Sequence, residues 1–238
     1  MPNDLAGPVL THSFEPVYHS LRRAMMCGDI MPGERMVVKR LSERFGTSSL
    51  PVRQALQRLV AEGALADRPY YGAEVPVLDV QALMDLRRVR CAVEGQAAEW
   101  AAQTVTAAEL DRLQALQDRM LATRDPAEAD EYLGWNLEFH FTVYRAARSP
   151  LMVPLIESLW LRVGPCLNVM RTETTLGLGL DHHDEVLAAL RRGDGAAARA
   201  AVVAELTEAA EIMARSLAVY QPDPTLRRRG SRKKPGKG

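Results

Sequence analysis

Residues 46–65 read GTSSLPVRQALQRLVAEGAL. A glycine and three small hydroxyl residues lead into Pro51, and Val52, Leu56, Leu59 and Val60 then recur at helical spacing until Gly63 closes the run. This is a short helix punctuated at both ends. Its other face carries Arg53, Gln54, Gln57 and Arg58, side chains suited to hydrogen-bonding something flat and anionic.

The flanks place this helix in a larger pattern. Upstream, Val17, Leu21, Ala24 and Met25 predict a helix from about 15 to 28, followed by the turn sequence GDIMPGE. A second short helix, 38–45, turns Leu41 and Phe45 inward and stops at Gly46. Downstream, the breakers Pro69 and Gly72 separate short segments ending in Val75 and Val77, which reads as a β-hairpin. Three short helices and a hairpin make a winged helix-turn-helix over residues 14–78. In such a unit the second helix of the pair can enter the major groove of double-stranded DNA while neighbouring residues hold phosphates. Lys39 heads the second helix, Ser48 and Ser49 occupy the turn, Arg53 lies in the first turn of the third helix, and Gly72 belongs to the wing. An arginine paired bidentately to guanine is worth roughly 1–3 kcal/mol of discrimination. A plain three-helix packing unit with a solvated polar face fits the same spacing.

Beyond Asp79 the texture changes to long Ala- and Leu-rich helical periodicity, read as about six helices over 79–221. Asp79 caps a helix to about 103, and Thr106-Ala-Ala-Glu109 is a capping box. Asp125-Pro126 and Ser149-Pro150 each set a cap residue before a proline. Gly193-Asp194 separates helices at about 181–192 and 194–219. The fold class is therefore mainly α: a winged helix-turn-helix followed by an all-helical bundle, between a loose arm (1–13) and a basic tail (222–238).

The chain of 238 residues is 47% hydrophobic, enough to bury cores in two units. Cys27, Cys91 and Cys166 are odd in number and lack a CxxC pair, which suggests neither a disulfide framework nor a zinc knuckle. Neither a signal peptide nor the ~18 uninterrupted apolar residues of a membrane span is visible, so a cytoplasmic location is expected. The net charge of zero hides an asymmetry: from Arg227 onward the tail holds seven basic residues, leaving 23 basic against 30 acidic elsewhere. The tail adds nonspecific phosphate attraction or simply solubilises.

Within the helical region, four polar side chains fall on inward faces. Leu133, Leu137, His140 and Tyr144 form one stripe, with Asn136 a turn before His140; His183 shares a face with Val186, Leu187 and Leu190; Glu205 is turned inward on the last helix. Burying them is costly unless they satisfy each other or a bound species.

The stretch LRRAMMCGDIMPGERMVVKRLSERFGTSSLPVRQALQRLVAEGALADRPYYGAEV resembles the N-terminal domain of GntR-family bacterial transcription regulators. The segments LRRVRCAVEGQAAEWAA, NLEFHFTVYRAARSPLM and HDEVLAALRRGDGAAARAAV resemble the helical effector domain of its FCD, FadR-like branch. The resemblance implies a homodimer on a palindromic operator, commonly a repressor released by its ligand. It also implies a divalent metal held through an Asp and three His. Here His140 and His183 match, while Asn136 replaces the Asp and Glu205 the last His; zinc is the default ion, with nickel and manganese compatible. Arg90 matches a pocket-lining arginine and Arg162 is a weaker second, which suits a small carboxylate effector. Arg90 pairing with Glu94 on the surface is the plainer reading.

The chain departs from the family in the DNA-binding unit. Ser49 and Leu50 stand where arginine and threonine are common, and Tyr71 where the wing often carries arginine. Leu50 cannot cap the helix, so Ser48 or Ser49 is expected to, or the helix start loses about 1 kcal/mol. Two rivals follow: a metal-dependent enzyme using the His and Glu residues to activate water, without HExxH or G-x-S-x-G to support it, and a dimerisation module with degenerate DNA binding.

Overall fold

The structure, a computed structural model, describes residues 13–68, 72–123, 125–170 and 179–219. Most of the arm, Tyr71 and the basic tail lie outside the described residues. Two units divide at Pro76 and Val77, and the short segment Ala24–Pro32 is grouped with the helical unit rather than with the residues around it.

In the first unit, helix α1 (Glu15–Met26) buries Val17, Tyr18 and Leu21, while α3 (Ser49–Ala61) buries Val52, Ala55, Leu56 and Leu59 at the spacing read from the sequence. A polar cluster fastens the two helices. The Tyr18 hydroxyl donates to Glu62 and accepts from Arg22 at 2.7 Å. The Arg58 guanidinium lies 4.1 Å from the Tyr18 ring centroid and pairs with Glu62 at 3.2 Å and Glu15 at 3.4 Å. Burial and the Glu62 bond together raise the Tyr18 phenol above its usual range, so it stays a donor.

Between α2 (Val38–Phe45) and α3 the chain turns at Gly46, whose φ of 60° strains any residue bearing a Cβ. Helix α3 then begins without a side-chain cap: Ser48 is in the cap position but makes no cap bond. The expected serine cap fails for a local reason. The third helical position is Pro51, which has no N–H, so of the two usual donors to a cap side chain only Leu50 N–H remains, and Ser48 does not accept from it. Strands β1 (Ala66–Arg68) and β2 (Gly72–Glu74) form the antiparallel wing, extended by a bridge from Arg35 to Glu74.

The second unit holds six α-helices among the described residues: α4 (Val80–Thr104), α5 (Ala107–Ala122), α6 (Ala129–Ala146), α7 (Met152–Val163), α8 (Leu180–Arg192) and α9 (Gly195–Val219). The two 25-residue helices, α4 and α9, run antiparallel: Gln103 reaches the carbonyl of Gly193 at one end, and Leu83 clusters with Met213 at the other. Midway, a Cβ on Gly95 would come within 3.1 Å of Val203, so the missing side chain sets how closely the helices approach. Helix α6 is buried around most of its circumference, from Tyr132 and Leu133 to Tyr144.

Two caps fall where the sequence places them, Asp79 accepting from Ala82 N at 2.7 Å and Thr106 with Glu109 completing the capping box; at the break read between the last two helices, Asp194 also accepts from Ala197 N at 3.0 Å. The two proline signals differ. Asp125-Pro126 opens a 3-10 turn, Pro126–Glu128, before α6 starts at Ala129. After Ser149-Pro150, α7 starts only at Met152, with no side-chain cap. Both prolines therefore precede the α-helix proper.

These caps separate in stability. Thr106→Ala is expected to cost about 1 kcal/mol, whereas Ser48→Ala changes stability by less than about 0.5 kcal/mol, read as shifts in urea midpoint at unchanged slope.

Candidate functional site

The helical unit encloses a cavity of about 50 Å³, lined among others by Arg90, Asn136, His140, Trp160, Glu205 and Glu208. At ~10–15 Å³ for one water, that is room for a few waters or a small bound species. Around it runs a continuous chain of buried polar contacts. The Arg90 fork donates to both oxygens of Glu94, at 2.6 and 3.1 Å. Glu94 also accepts from the Tyr144 hydroxyl at 2.6 Å and the Trp160 indole at 3.0 Å. Tyr144 meets His140 Nδ1 at 3.3 Å. His140 Nε2 and His183 Nε2 both face the same oxygen of Glu205, at 2.9 and 3.1 Å. His183 Nδ1 then meets Gln117 at 3.1 Å.

The ends of this chain decide where its protons sit. Burial, then the charge of Glu94, holds the Tyr144 phenol well above its usual range, so its proton points to Glu94 and its oxygen is left to accept from His140 Nδ1–H. On the other side the Gln117 amide nitrogen donates to Leu180 O at 2.9 Å and Asp184 Oδ1 at 3.0 Å. Its carbonyl oxygen therefore faces His183 Nδ1, which must donate. With both Nδ1 atoms committed as donors, each Nε2 confronts a carboxylate oxygen. That contact is attractive only with a proton or a metal ion between the two atoms.

Burial alone would raise the Glu205 carboxyl. The two histidines against it outweigh burial and hold it well below the usual carboxylate range, hence ionised. Its second oxygen, Oε2, is buried and has no hydrogen-bond partner among the described residues. A buried carboxylate with an orphaned oxygen, joined to two imidazole nitrogens within 4.8 Å of one another, is a donor set that fits a divalent cation of the zinc class. Asn136, one turn before His140, lines the same cavity. The structure thus brings together His140, His183 and Glu205, with Asn136 nearby.

Arg90 lines the cavity, as expected, but its pairing with Glu94 is buried rather than on the surface, and its fork is occupied. Arg162 corrects the sequence reading: Leu159, Trp160 and Val163 take the inward positions of α7, leaving Arg162 exposed and outside the cavity lining. His182 turns outward to Glu208 and Glu185, at 3.0 and 3.3 Å. Gln117 was not singled out in the sequence, although it sits within the apolar stripe Leu113, Leu116 and Met120, where a polar residue is out of place.

In the first unit, Lys39, Ser49 and Arg53 line one open concavity together with Ser42, Glu43 and Thr47. Ser48 and Gly72 are exposed. Of the polar residues on α3, Arg58 is committed to α1, whereas Arg53 makes no hydrogen bond or ion pair with the described residues. The start of α3 also lacks a side-chain cap, and Ser48, Ser49 and Leu50 around it are exposed, as a helix start that meets an anion requires.

A winged helix-turn-helix with an unspent arginine on its third helix, joined to a helical unit with an internal cavity of mixed polar and apolar lining, is the construction of a DNA-binding transcription regulator. The chain belongs to the gntR family of bacterial regulatory proteins, whose DNA-binding domain matches residues 14–75, with an FCD domain matching residues 85–214. It is 29% identical over 209 residues to the HTH-type transcriptional regulator McbR of Escherichia coli, covering 86% of this chain and 91% of that one. It is 25% identical over 198 residues to the transcriptional repressor RspR of the same organism, covering 83% and 87%. The solved structure of E. coli McbR/YncC superposes with a TM-score of 0.80 at 27% identity, over 85% of this chain and 97% of that one. The family is one of regulators, not enzymes, and no helix among the described residues is long and apolar enough to cross a membrane.

The buried ion pair yields a prediction. Glu94→Ala strands the Arg90 charge and is expected to destabilise the protein by about 3–5 kcal/mol. The double variant Arg90→Met/Glu94→Ala should recover part of that loss in chemical denaturation.

Proposed function

We propose that the protein is a cytoplasmic repressor that binds a palindromic operator as a homodimer, its DNA affinity set by a small carboxylate metabolite together with a divalent metal in the helical unit. The observation that carries this reading is the convergence of His140, His183 and the half-satisfied Glu205, two of which, His140 and Glu205, line a cavity that Arg90, Asn136 and Glu208 share with apolar and aromatic side chains. Those three residues would hold the metal, with Asn136 an additional oxygen donor. A bound metal supplies the positive charge that a carboxylate needs there, because Arg90 is neutralised by Glu94. Trp160, Leu133 and Met213 wall the cavity with apolar surface, which suits the carbon skeleton of a small organic acid.

On the DNA side, Arg53 and Lys39 present free donors, Arg53 to a base edge and Lys39 to phosphate. With Ser49 and Leu50 at the start of α3, Arg53 carries more of the direct reading. A homodimer sets two such helices against two half-sites. The effector must bind better to one arrangement of the DNA-binding units than to another, or nothing is switched. The name of the RspR relative, a repressor, supports the sign.

Titration of the gene's own promoter DNA at several salt concentrations tests the reading. The wild type is expected to shift the DNA with a steep salt dependence, Arg53→Ala to bind roughly 5- to 100-fold more weakly, and a carboxylate supplied with zinc to release the complex. Absence of any salt-dependent shift, or an Arg53→Ala variant that binds as wild type does, would leave only a dimerisation module.

A further inference from the structure

We infer that Gln117 is a positioning residue for the metal site: it fixes which nitrogen of His183 carries the proton and so keeps Nε2 available as a ligand. The inference rests on the metal reading above and adds a residue to it from a helix, α5, that contributes no ligand of its own.

Gln117 is fully buried, and its two amide atoms have separate tasks. The nitrogen donates to Leu180 O and Asp184 Oδ1, both on the first turns of α8, and those two acceptors exclude the flipped amide, which would set oxygen against oxygen. The carbonyl oxygen is thereby aimed at His183 Nδ1, 3.1 Å away. Imidazole binds a metal through a ring nitrogen without a proton. A neutral ring whose proton is held at Nδ1 therefore offers Nε2, the atom already turned toward Glu205. The ring cannot swing to another partner, because Phe139 stacks on it with centroids 4.2 Å apart. The rotamer of His183 and the proton at its Nδ1 are in this way set before any ion arrives, so an ion takes the Nε2 side facing Glu205. His140 is held from its own helix by Tyr144; His183 depends on a neighbouring helix, which makes the Gln117 contact the one that joins α5 to the site.

Two substitutions separate positioning from plain packing. Gln117→Met fills the volume and removes both tasks. Gln117→Glu keeps an acceptor for His183 Nδ1–H but replaces the donor with an oxygen facing Leu180 O and Asp184, so it disturbs the α5–α8 contact at least as much as methionine does. If Gln117 acts by orienting His183, zinc affinity measured by competition with a chromophoric chelator should fall by roughly 10- to 100-fold in Gln117→Met and stay near wild type in Gln117→Glu. The thermal midpoints of the metal-free proteins should show no such advantage for Gln117→Glu. Nitrogen-15 spectra of the zinc-loaded wild type should place the His183 proton on Nδ1. Equal zinc affinity in wild type and Gln117→Met, zinc affinities that follow the thermal midpoints, or a His183 proton on Nε2 would each overturn the inference while leaving the metal site standing. A wild-type protein that takes up no zinc, nickel or manganese would instead remove the metal reading, and this inference with it.

Discussion

One oxygen of Glu205 accepts the approach of two buried imidazoles, and the polar interior of the helical unit is organised around that contact. An ionised carboxylate withdrawn from water is costly unless opposite charge and hydrogen bonds meet it. Here they arrive from α6 through His140 and from α8 through His183, and each ring is in turn held by a neighbour, Tyr144 or Gln117. Beyond Tyr144 the chain ends in the Arg90–Glu94 pair on α4. All six helices of the unit thus contribute to one connected network, α7 through the Trp160 indole on Glu94. A network this continuous leaves few ways to change one member without disturbing the others.

The DNA-binding unit divides its charges differently. Arg58 and Arg53 lie on one helix and look interchangeable in the sequence, yet Arg58 is stacked on Tyr18 and paired with Glu62 and Glu15, while Arg53 is left to solvent. Position along the helix decides this: Arg58 lies four residues before Glu62, at the end of α3 that meets α1, whereas Arg53 sits at the open end beside the turn. The lack of a cap at Ser48 belongs to the same end. A helix start that satisfies its own N–H groups has fewer to offer a phosphate.

Most of the fold was legible because each element carries its own local signal. The stripe Val52, Leu56, Leu59 marks α3, Gly46 and Gly63 end their helices, and Asp79, Thr106 and Asp194 begin theirs. The proline signals misled at Ser149-Pro150 and Asp125-Pro126, since proline there shapes a turn before the helix. In the site, inward periodicity found His140, His183 and Glu205. Spacing already paired Arg90 with Glu94 but set the pair on the surface; its burial depends on Tyr144 and Trp160 approaching from other helices. Arg162 was misplaced because one helical turn supplies several polar directions, and only packing shows which faces inward. Gln117 escaped because a lone amide within an apolar stripe acquires meaning only when the facing histidine is known.

The metal content of protein purified without chelator tests most directly whether this network is built around a cation. Elemental analysis is expected to find stoichiometric divalent metal, zinc by default, in the wild type, and none in a folded His140→Ala/His183→Ala variant. A wild type free of metal, even after incubation with zinc, or metal retained equally by the double variant, would contradict it.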